Sequence, residues 1–499
     1  MYDVIIVGSG YGGSVMAART APYGKVLILE RGKRWNSGEF PTGLRAFSAA
    51  YRSRRNPLGL WEVRLGKGTG VGFASGVGGA SLLYYGITTR PDDHALAHWP
   101  VTSATLDPYF RRALDVLRPE SCPDAHTIGD QRFFDLVEPG KRVDLQNVID
   151  WSKCTWCGDC VSGCNRGAKR SLDKTYLPLA ETAGAELRSE TEVVGFTMRG
   201  SGGWDVRVQK TGDPSTLETI PTRTLVIAAG TMGTLDIMVR QRNLMPLSWT
   251  FGTDIGMNGD GAAFLYNTPY AMGSHHGAPI TTTVRLIHTD GNGLPRTLTV
   301  MSGRIPKFLM HASATMMNGL SEVMGERFED RQSLWIRAKR RLADLRAVGP
   351  DGALSRTLMY KLDGQDSAKG QASFDERGQS SIDWPDYAND PILVFAAERL
   401  RQWATKVGGV LLCDLGTWPG MKSFGVHALG GCRMGKNVEE GVVDDLGRVF
   451  HPAGGVYPGL WIVDGSILPG SLGVPPSLTI AALAERAAEY LLTRPSSAN

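Results

Sequence analysis

The stretch that most constrains this chain is its first thirty residues. Tyr2 to Val7 (YDVIIV) is a β-branched apolar run that reads as a buried strand, and it feeds directly into Gly8-Ser9-Gly10-Tyr11-Gly12-Gly13. Ser14 to Ala21 then reads as a helix stopped by Pro22, and Lys25 to Leu29 as a second strand ending at Glu30. A strand, a G-x-G-x-x-G turn, a helix, a strand and a terminal acid form a βαβ dinucleotide-binding unit. Gly8 permits the tight turn, Gly10 lets the backbone approach a pyrophosphate, and Gly13 permits close helix-strand packing. Tyr11 and Gly12 belong to the same cofactor-binding turn, the N-terminus of the helix after it faces the phosphates, and Glu30 is placed to accept a ribose hydroxyl. The motif alone does not choose between NAD and FAD. Its N-terminal position and the glycine clusters that follow favour FAD.

Those clusters show in the composition, where 62 of 499 residues are glycine. That is about 12%, against about 7% in ordinary proteins, and it implies many tight turns and close backbone approaches around a large cofactor. Gly66 to Gly86 is too glycine-rich and too apolar for an ordinary helix or strand. Its interleaved Val71, Phe73, Val77, Leu82 and Leu83 argue for burial rather than for a flexible linker, so it is expected to contact the cofactor. Thr224 to Gly233 repeats the strand-turn pattern through Ala229 and Gly230, and Leu460 to Ser466 reads as a strand ending in Asp464-Gly465. Pro476 fits the first turn of a helix running from Ser477 to Leu492.

Apolar residues make up 42% and charged residues 21%, which excludes a disordered or fibrous chain. The net charge of +4 is too small to argue for a nucleic-acid partner. No run approaches the length of a membrane span and none reads as a signal peptide, so a cytoplasmic protein is expected. Ser333 to Arg346 reads as a basic amphipathic helix, either solvated through snorkelling arginines or in peripheral contact with a membrane. The solvated reading is favoured. Pro391 to Lys406 reads as a core helix, and the polar stretch from Asp363 to Ser381 as an exposed loop or hairpin.

Four of the seven cysteines fall within eleven residues, as Cys154, Cys157, Cys160 and Cys164. The spacing C-x2-C-x2-C-x3-C is that of bacterial ferredoxins, except that Asn165 stands where proline usually follows. A 4Fe-4S cluster is the leading reading, with Cys164 or one of Cys122, Cys413 and Cys432 as fourth ligand. Zinc and an empty, merely packed run are the alternatives. A cluster would let electrons leave a flavin singly, toward an acceptor protein or a quinone.

Taken in order, these blocks resemble the glucose-methanol-choline (GMC) flavoprotein oxidoreductases, and within them the cholesterol oxidase-like branch. The match rests on GSGYGG with Glu30, Ser75 to Leu82 (SGVGGASL), Ala228-Ala229-Gly230, Asp254 to Asp260 (DIGMNGD), Val426 to Gly431 (VHALGG) and Val463 to Val474 (VDGSILPGSLGV). The resemblance implies an α/β protein with noncovalent FAD in a doubly wound, Rossmann-like domain assembled from separated segments (1–100, 150–245 and 412–495). An interleaved α+β substrate domain (101–149 and 246–411) would roof the flavin with an antiparallel sheet. Gly76, Gly78, Gly79, Ser81, Ala229, Gly230, Asp464, Gly465, Pro475 and Pro476 would join the N-terminal loop in binding the cofactor.

The family chemistry is alcohol oxidation by hydride transfer to flavin, and the base in the matching position is His427. This chain departs from the branch at Pro475, where an asparagine usually stands beside the histidine. Proline has neither a side-chain polar group nor an N–H to offer. Either His427 works alone, Ser477 partly substitutes, or the reaction differs. The expected substrate is a hydrophobic cyclic or steroid-like secondary alcohol. The alternatives are a redox-neutral isomerase of an unsaturated alcohol or ketone and, last, a non-catalytic flavin and iron-sulfur electron carrier.

Overall fold

The structure, a computed structural model, describes residues 1–124, 128–270, 280–323, 325–327, 334–349, 351–412 and 423–493. The apolar run Tyr2–Val7 forms the expected strand, pairing in parallel with Val26–Leu29 on one side (Val4 opposite Val26) and with the end of Asp213–Ile227 on the other (Ile6 opposite Val226). Glu186–Arg188 extends this sheet beyond Val26–Leu29, and Val456–Ile462 adds in parallel to Leu225–Ile227. The first part of Asp213–Ile227 turns outward into an antiparallel ribbon with Trp204–Lys210 and Thr191–Met198. The helices Tyr11–Thr20, Ser103–Leu117 and Ser477–Thr493 pack together, and the last two bury Phe110, Leu117, Leu478 and Ala481 in the same core as the sheet.

A second sheet of seven strands runs in the order 326–327, 410–412, 261–266, 358–364, 295–303, 282–289, 142–144, with antiparallel pairings throughout. Helix Pro391–Val407, started by the Asp390 carboxylate accepting from Ile392 N–H, lays Ile392, Leu400 and Trp403 on one face of it. Strand Leu358–Gly364 shows why that face is dry. Leu358, Tyr360 and Leu362 join the helix-facing core, and the period of two turns Met359, Lys361 and Asp363 toward the cavity on the opposite face.

Two expectations need correcting. Thr69–Ala74, inside the glycine-rich segment, is a strand after all. It pairs antiparallel with Trp61–Leu65 and in parallel with Ser423–Gly425, and these two ladders outweigh its poor intrinsic propensity. The segment from Asp363 to Ser381 does contain a hairpin, Gln371–Phe374 with Ser380–Asp383, but its beginning is not exposed. Asp363 and Asp366 are buried, the latter because it accepts N–H groups of Met257 and Gly259. The basic helix forms over Leu334–Arg346, while Ser333 lies outside the described residues. It turns Trp335, Leu342 and Leu345 to solvent and Arg340 and Asp344 inward, where Asn267 bonds both and Tyr266 bonds Asp344. Among the described residues no helix is long and apolar enough to cross a membrane.

Candidate active site

The N-terminal turn is held by contacts that no side chain could share. Gly8 has a φ of +101°, and a Cβ there would meet the Ala228 carbonyl at 2.3 Å; one on Gly12 would stand 1.6 Å from the Val463 carbonyl. Gly10 is different. No protein atom lies within 4 Å of the place its Cβ would take, and it begins the helix without a side-chain cap. The first helical N–H groups and an open approach at Gly10 therefore face the cavity, as a pyrophosphate requires. Glu30 is fixed beside them, since Ser9 donates from Oγ (2.6 Å) and N (3.1 Å) to one carboxylate oxygen and Gly32 N (2.8 Å) to the other. The second glycine segment closes on the first, with Gly79 so near that its Cβ would be 2.9 Å from Gly10 Cα.

These features surround a cavity of about 730 Å³ that runs from the nucleotide loop to the seven-stranded sheet. Gly8, Gly10, Tyr11, Gly12, Glu30, Gly79, Ala229, Gly230, Asp464, Gly465, Pro475, Pro476, Ser477 and His427 all line it. Gly13, Gly76, Gly78 and Ser81 lie behind the wall. Gly13 packs on Gly8, and Ser81 ties Gly78 O to Leu172 N–H, holding the glycine segment in shape. Asp464 accepts from Gly230 N (3.0 Å), Thr234 Oγ1 (2.5 Å) and Ser466 N (2.8 Å), which joins the C-terminal segment to the middle one. An uncapped helix end, an open glycine approach and a fixed carboxylate at Glu30 on one cavity fit FAD. When bound there it supplies a two-electron acceptor for hydride.

At the other end stands His427, the only histidine among the described residues that line the cavity. Ser423–Gly425, paired with Thr69–Ala74, carries it there. Its Nδ1 lies 3.2 Å from Asp363 Oδ1 and 3.4 Å from Asp260 Oδ2, and Lys361 Nζ bonds both carboxylates. Asp260 also accepts the Val426 N–H at 2.6 Å, fixing the backbone beside the histidine. Burial pushes the Asp363 carboxyl up, but the Lys361 ammonium and then His427 outweigh it and hold it below the usual range. Burial likewise works against the Lys361 ammonium, and Asp260 and Asp363 more than offset it. In the sequence Asp260 is only the end of the motif DIGMNGD, and Asp363 opens a stretch expected to be exposed. The available signal was the alternation of Met359, Lys361 and Asp363 against Leu358, Tyr360 and Leu362. Around this polar group the wall is apolar, with Ile87, Ile280, Met301, Met359, Phe424 and Val426. Among the described lining residues there is no asparagine or glutamine.

The cysteine run folds as a loop with a short helical turn at Asp159–Ser162, against the outside of the same wall, to which Val161 contributes. Its four cysteines are half-buried and unbridged, and Cys154 and Cys164 pack against a small cluster formed by Cys122, Ile149, Trp151 and Ala168. Cys413 lies outside the described residues. Cys432 is buried in the main core, in a different cluster from the run. Tetrahedral zinc at about 2.3 Å from each sulfur would hold thiolates within about 4 Å of one another. Among the described residues no three cysteines are that close. A four-iron cluster spaces its thiolates more widely, because each binds a different iron. Beside the run, Lys169 is buried and donates from Nζ to the carbonyls of Leu82 (2.7 Å), Tyr84 (3.0 Å) and Cys160 (2.7 Å), while its N–H reaches Cys164 Sγ at 3.4 Å. Burial lowers this ammonium to about 8, with Cys160 and Cys164 opposing the shift.

A dinucleotide site opening onto a largely apolar cavity that ends at a histidine defines a flavin-dependent oxidoreductase. The chain belongs to the GMC oxidoreductase family, whose N-terminal model matches residues 2–241 and whose C-terminal model matches residues 420–484. It is 31% identical to a cholesterol oxidase of Mycobacterium tuberculosis, over 98% of this chain and 90% of that one. It is 25% identical to a cholesterol oxidase of Acinetobacter baumannii, over 98% and 94%. Among solved structures, pyridoxine 4-oxidase from Mesorbium loti shares the fold with a TM-score of 0.68, covering 99% of both chains at 15% identity.

Proposed function

We propose that this protein oxidises a hydrophobic cyclic or steroid-like secondary alcohol, passing hydride to FAD while His427 takes the hydroxyl proton. The observation that carries this reading is that His427 is the single histidine among the described residues lining a largely apolar cavity continuous with the glycine-rich nucleotide site. Removing hydride from a carbinol needs a base within reach of its hydroxyl and a rigid wall that fixes the ring. Met301, Met359, Ile280 and Phe424 suit an alicyclic body better than a charged or sugar-like one. The names of the two bacterial relatives agree with a sterol-like substrate. In this reading the segments 1–100, 150–245 and 412–495 bind FAD, and 101–149 with 246–411 form the substrate domain.

The cysteine run is assigned a 4Fe-4S cluster relaying electrons toward a protein or quinone acceptor. Its ferredoxin-like sequence spacing and the buried Lys169 cation beside it support this, as does its place against the cavity wall. The helix Leu334–Arg346 is read as solvated, with peripheral membrane contact through the outward Trp335, Leu342 and Leu345 as the less favoured alternative. A second reading, redox-neutral isomerisation of an unsaturated alcohol or ketone, is favoured by one observation. Pro475 and Pro476 line the cavity, and the resemblance places a hydroxyl-orienting amide at Pro475.

The test is anaerobic mixing of the purified protein with a panel of alicyclic and sterol alcohols, following the flavin absorbance. Bleaching without turnover supports oxidation; product formation with no added acceptor supports isomerisation. His427→Ala should keep FAD and slow bleaching by about 100-fold or more. About four irons and four sulfides per chain, lost in Cys157→Ser, would support the cluster.

A further inference from the structure

Where the related branch carries an amide beside its histidine, this chain has Pro475, and no lining residue among those described supplies a replacement amide. What stands against the imidazole is a buried set of charges. Asp260 enters strand Gly261–Tyr266, and Lys361 and Asp363 share the cavity-facing side of strand Leu358–Gly364. Lys361 Nζ bonds Asp260 Oδ1, Asp363 Oδ1 (2.9 Å) and the Leu362 carbonyl (2.9 Å), so its three protons are spent and both carboxylates are held in place. Asp363 Oδ2 is buried and has no partner among the described residues, so that carboxylate's contacts all run through the oxygen facing His427.

We propose that Asp363, held by Lys361 and seconded by Asp260, is the positioning carboxylate of His427: it accepts the Nδ1 proton and thereby leaves Nε2 as the lone pair offered to the substrate hydroxyl. The proposal rests on the alcohol-oxidation reading for its chemistry, but the tautomer it assigns does not. A neutral imidazole carries one N–H, and the nitrogen that faces a carboxylate keeps it. A mobile imidazole would offer either nitrogen and either ring orientation. This one is fixed by an acceptor at 3.2 Å and a second carboxylate at 3.4 Å.

The charge count gives the set a second role. Two carboxylates and one ammonium leave one negative charge facing the imidazole. In the step, the substrate O–H proton goes to Nε2, the carbinol hydrogen leaves with its electron pair for the flavin, and the C–O single bond becomes a carbonyl. The imidazolium formed brings the buried set to zero net charge, so the developing cation meets a preorganised counter-charge. The same three ligand atoms of Asp260, Asp363 and His427 lie within 4.8 Å of one another, a spacing a divalent cation could use. Lys361 stands on both carboxylates and fills that position. Asp260, Lys361 and Asp363 are the charged groups that face the ring among the described residues.

The test begins with holoenzyme labelled with 15N-histidine, the His427 signals being assigned by their loss in His427→Asn. In wild type, nitrogen-15 NMR should show Nδ1 protonated and Nε2 bare near neutral pH. Asp363→Asn should mix or reverse this tautomer, because an amide can also donate to Nδ1. A bare Nδ1 in wild type, or an unchanged tautomer in Asp363→Asn, would overturn the proposal. The kinetic arm follows flavin reduction against pH. Asp363→Asn should slow it by about 100-fold and move the acid limb to lower pH, while Lys361→Met, which leaves both carboxylates unbalanced, should move the limb to higher pH. Asp363→Glu should recover part of the rate. Acid limbs that stay put in both variants, with flavin content and melting unchanged, would also overturn it. Should no alcohol bleach wild type while the NMR result holds, the oxidation reading fails and the positioning role stands.

Discussion

Asp464 caps a helix that begins 234 residues earlier in the chain, its Oδ2 accepting from Gly230 N at 3.0 Å. The same oxygen accepts from Thr234 Oγ1, and burial pushes the carboxyl upward despite these donors. The N–H of Gly230 at the start of helix Gly230–Gln241 is thus satisfied by the protein and not free for a phosphate. Asp464→Ala should lower stability by about 2 kcal/mol or more, combining a lost cap with unpaired buried donors. Thermal melting of the apoprotein measures this without interference from the cofactor.

Gly10 and Gly12 separate cofactor binding from folding. A methyl on Gly12 would stand 1.6 Å from the Val463 carbonyl, whereas one on Gly10 meets no protein atom within 4 Å. Gly12→Ala should therefore yield little folded protein. Gly10→Ala should melt like wild type as apoprotein yet bind FAD at least about 10-fold more weakly, which fluorescence titration of the apoprotein reads directly.

Glu62 gives the acid side of the stability profile. It pairs with Arg64 (2.9 Å), Arg52 (3.0 Å) and Arg31 (3.6 Å). Burial raises its carboxyl, but Arg31, Arg64 and Arg52 together hold it below its usual 4.5. A depressed carboxyl contributes stability that is present above the unfolded value and is lost as pH falls through the folded one. Glu62→Gln should cost about 3 kcal/mol near pH 7, and the gap to wild type should narrow below about pH 4.5 in melts recorded across the acid range.

Lys169 is a point-charge site with three carbonyl acceptors at 2.7 to 3.0 Å. Lys169→Met should destabilise by about 3 kcal/mol by leaving three buried acceptors unpaired, and Lys169→Arg should not rescue it, since a planar fork cannot reproduce three converging bonds. Urea denaturation of both variants distinguishes lost hydrogen bonds from lost charge.

The N-terminal turn was legible because its chemistry is local: a short apolar strand, glycines at fixed offsets and a helix start are encoded within about thirty residues. Thr69–Ala74 was not, because what makes it a strand comes from outside. Trp61–Leu65 and Ser423–Gly425 supply both ladders, and Gly72 is small because the Phe424 ring lies where its Cβ would go, at 2.6 Å. His427 was found through its motif, yet the three charges around it went unread. On strand Leu358–Gly364 the period of two says that Lys361 and Asp363 share a side, but a polar side is ordinarily the wet one. Only the packing of the second sheet under the cavity makes it a dry interior, and that depends on residues a hundred positions away, such as Asp260.

The pairing of Leu225–Ile227 with Leu460–Ile462 has a consequence for synthesis on the ribosome. The Tyr2–Val7 strand can recruit Val26–Leu29 and Asp213–Ile227 soon after they emerge, but the far edge of that sheet stays bare until residue 462 leaves the exit tunnel. Gly12 also waits for Val463, and the helix at Gly230 for Asp464. A nascent chain therefore displays an unpaired, β-branched edge through nearly half of its translation, a template for aggregation that only the last segment removes.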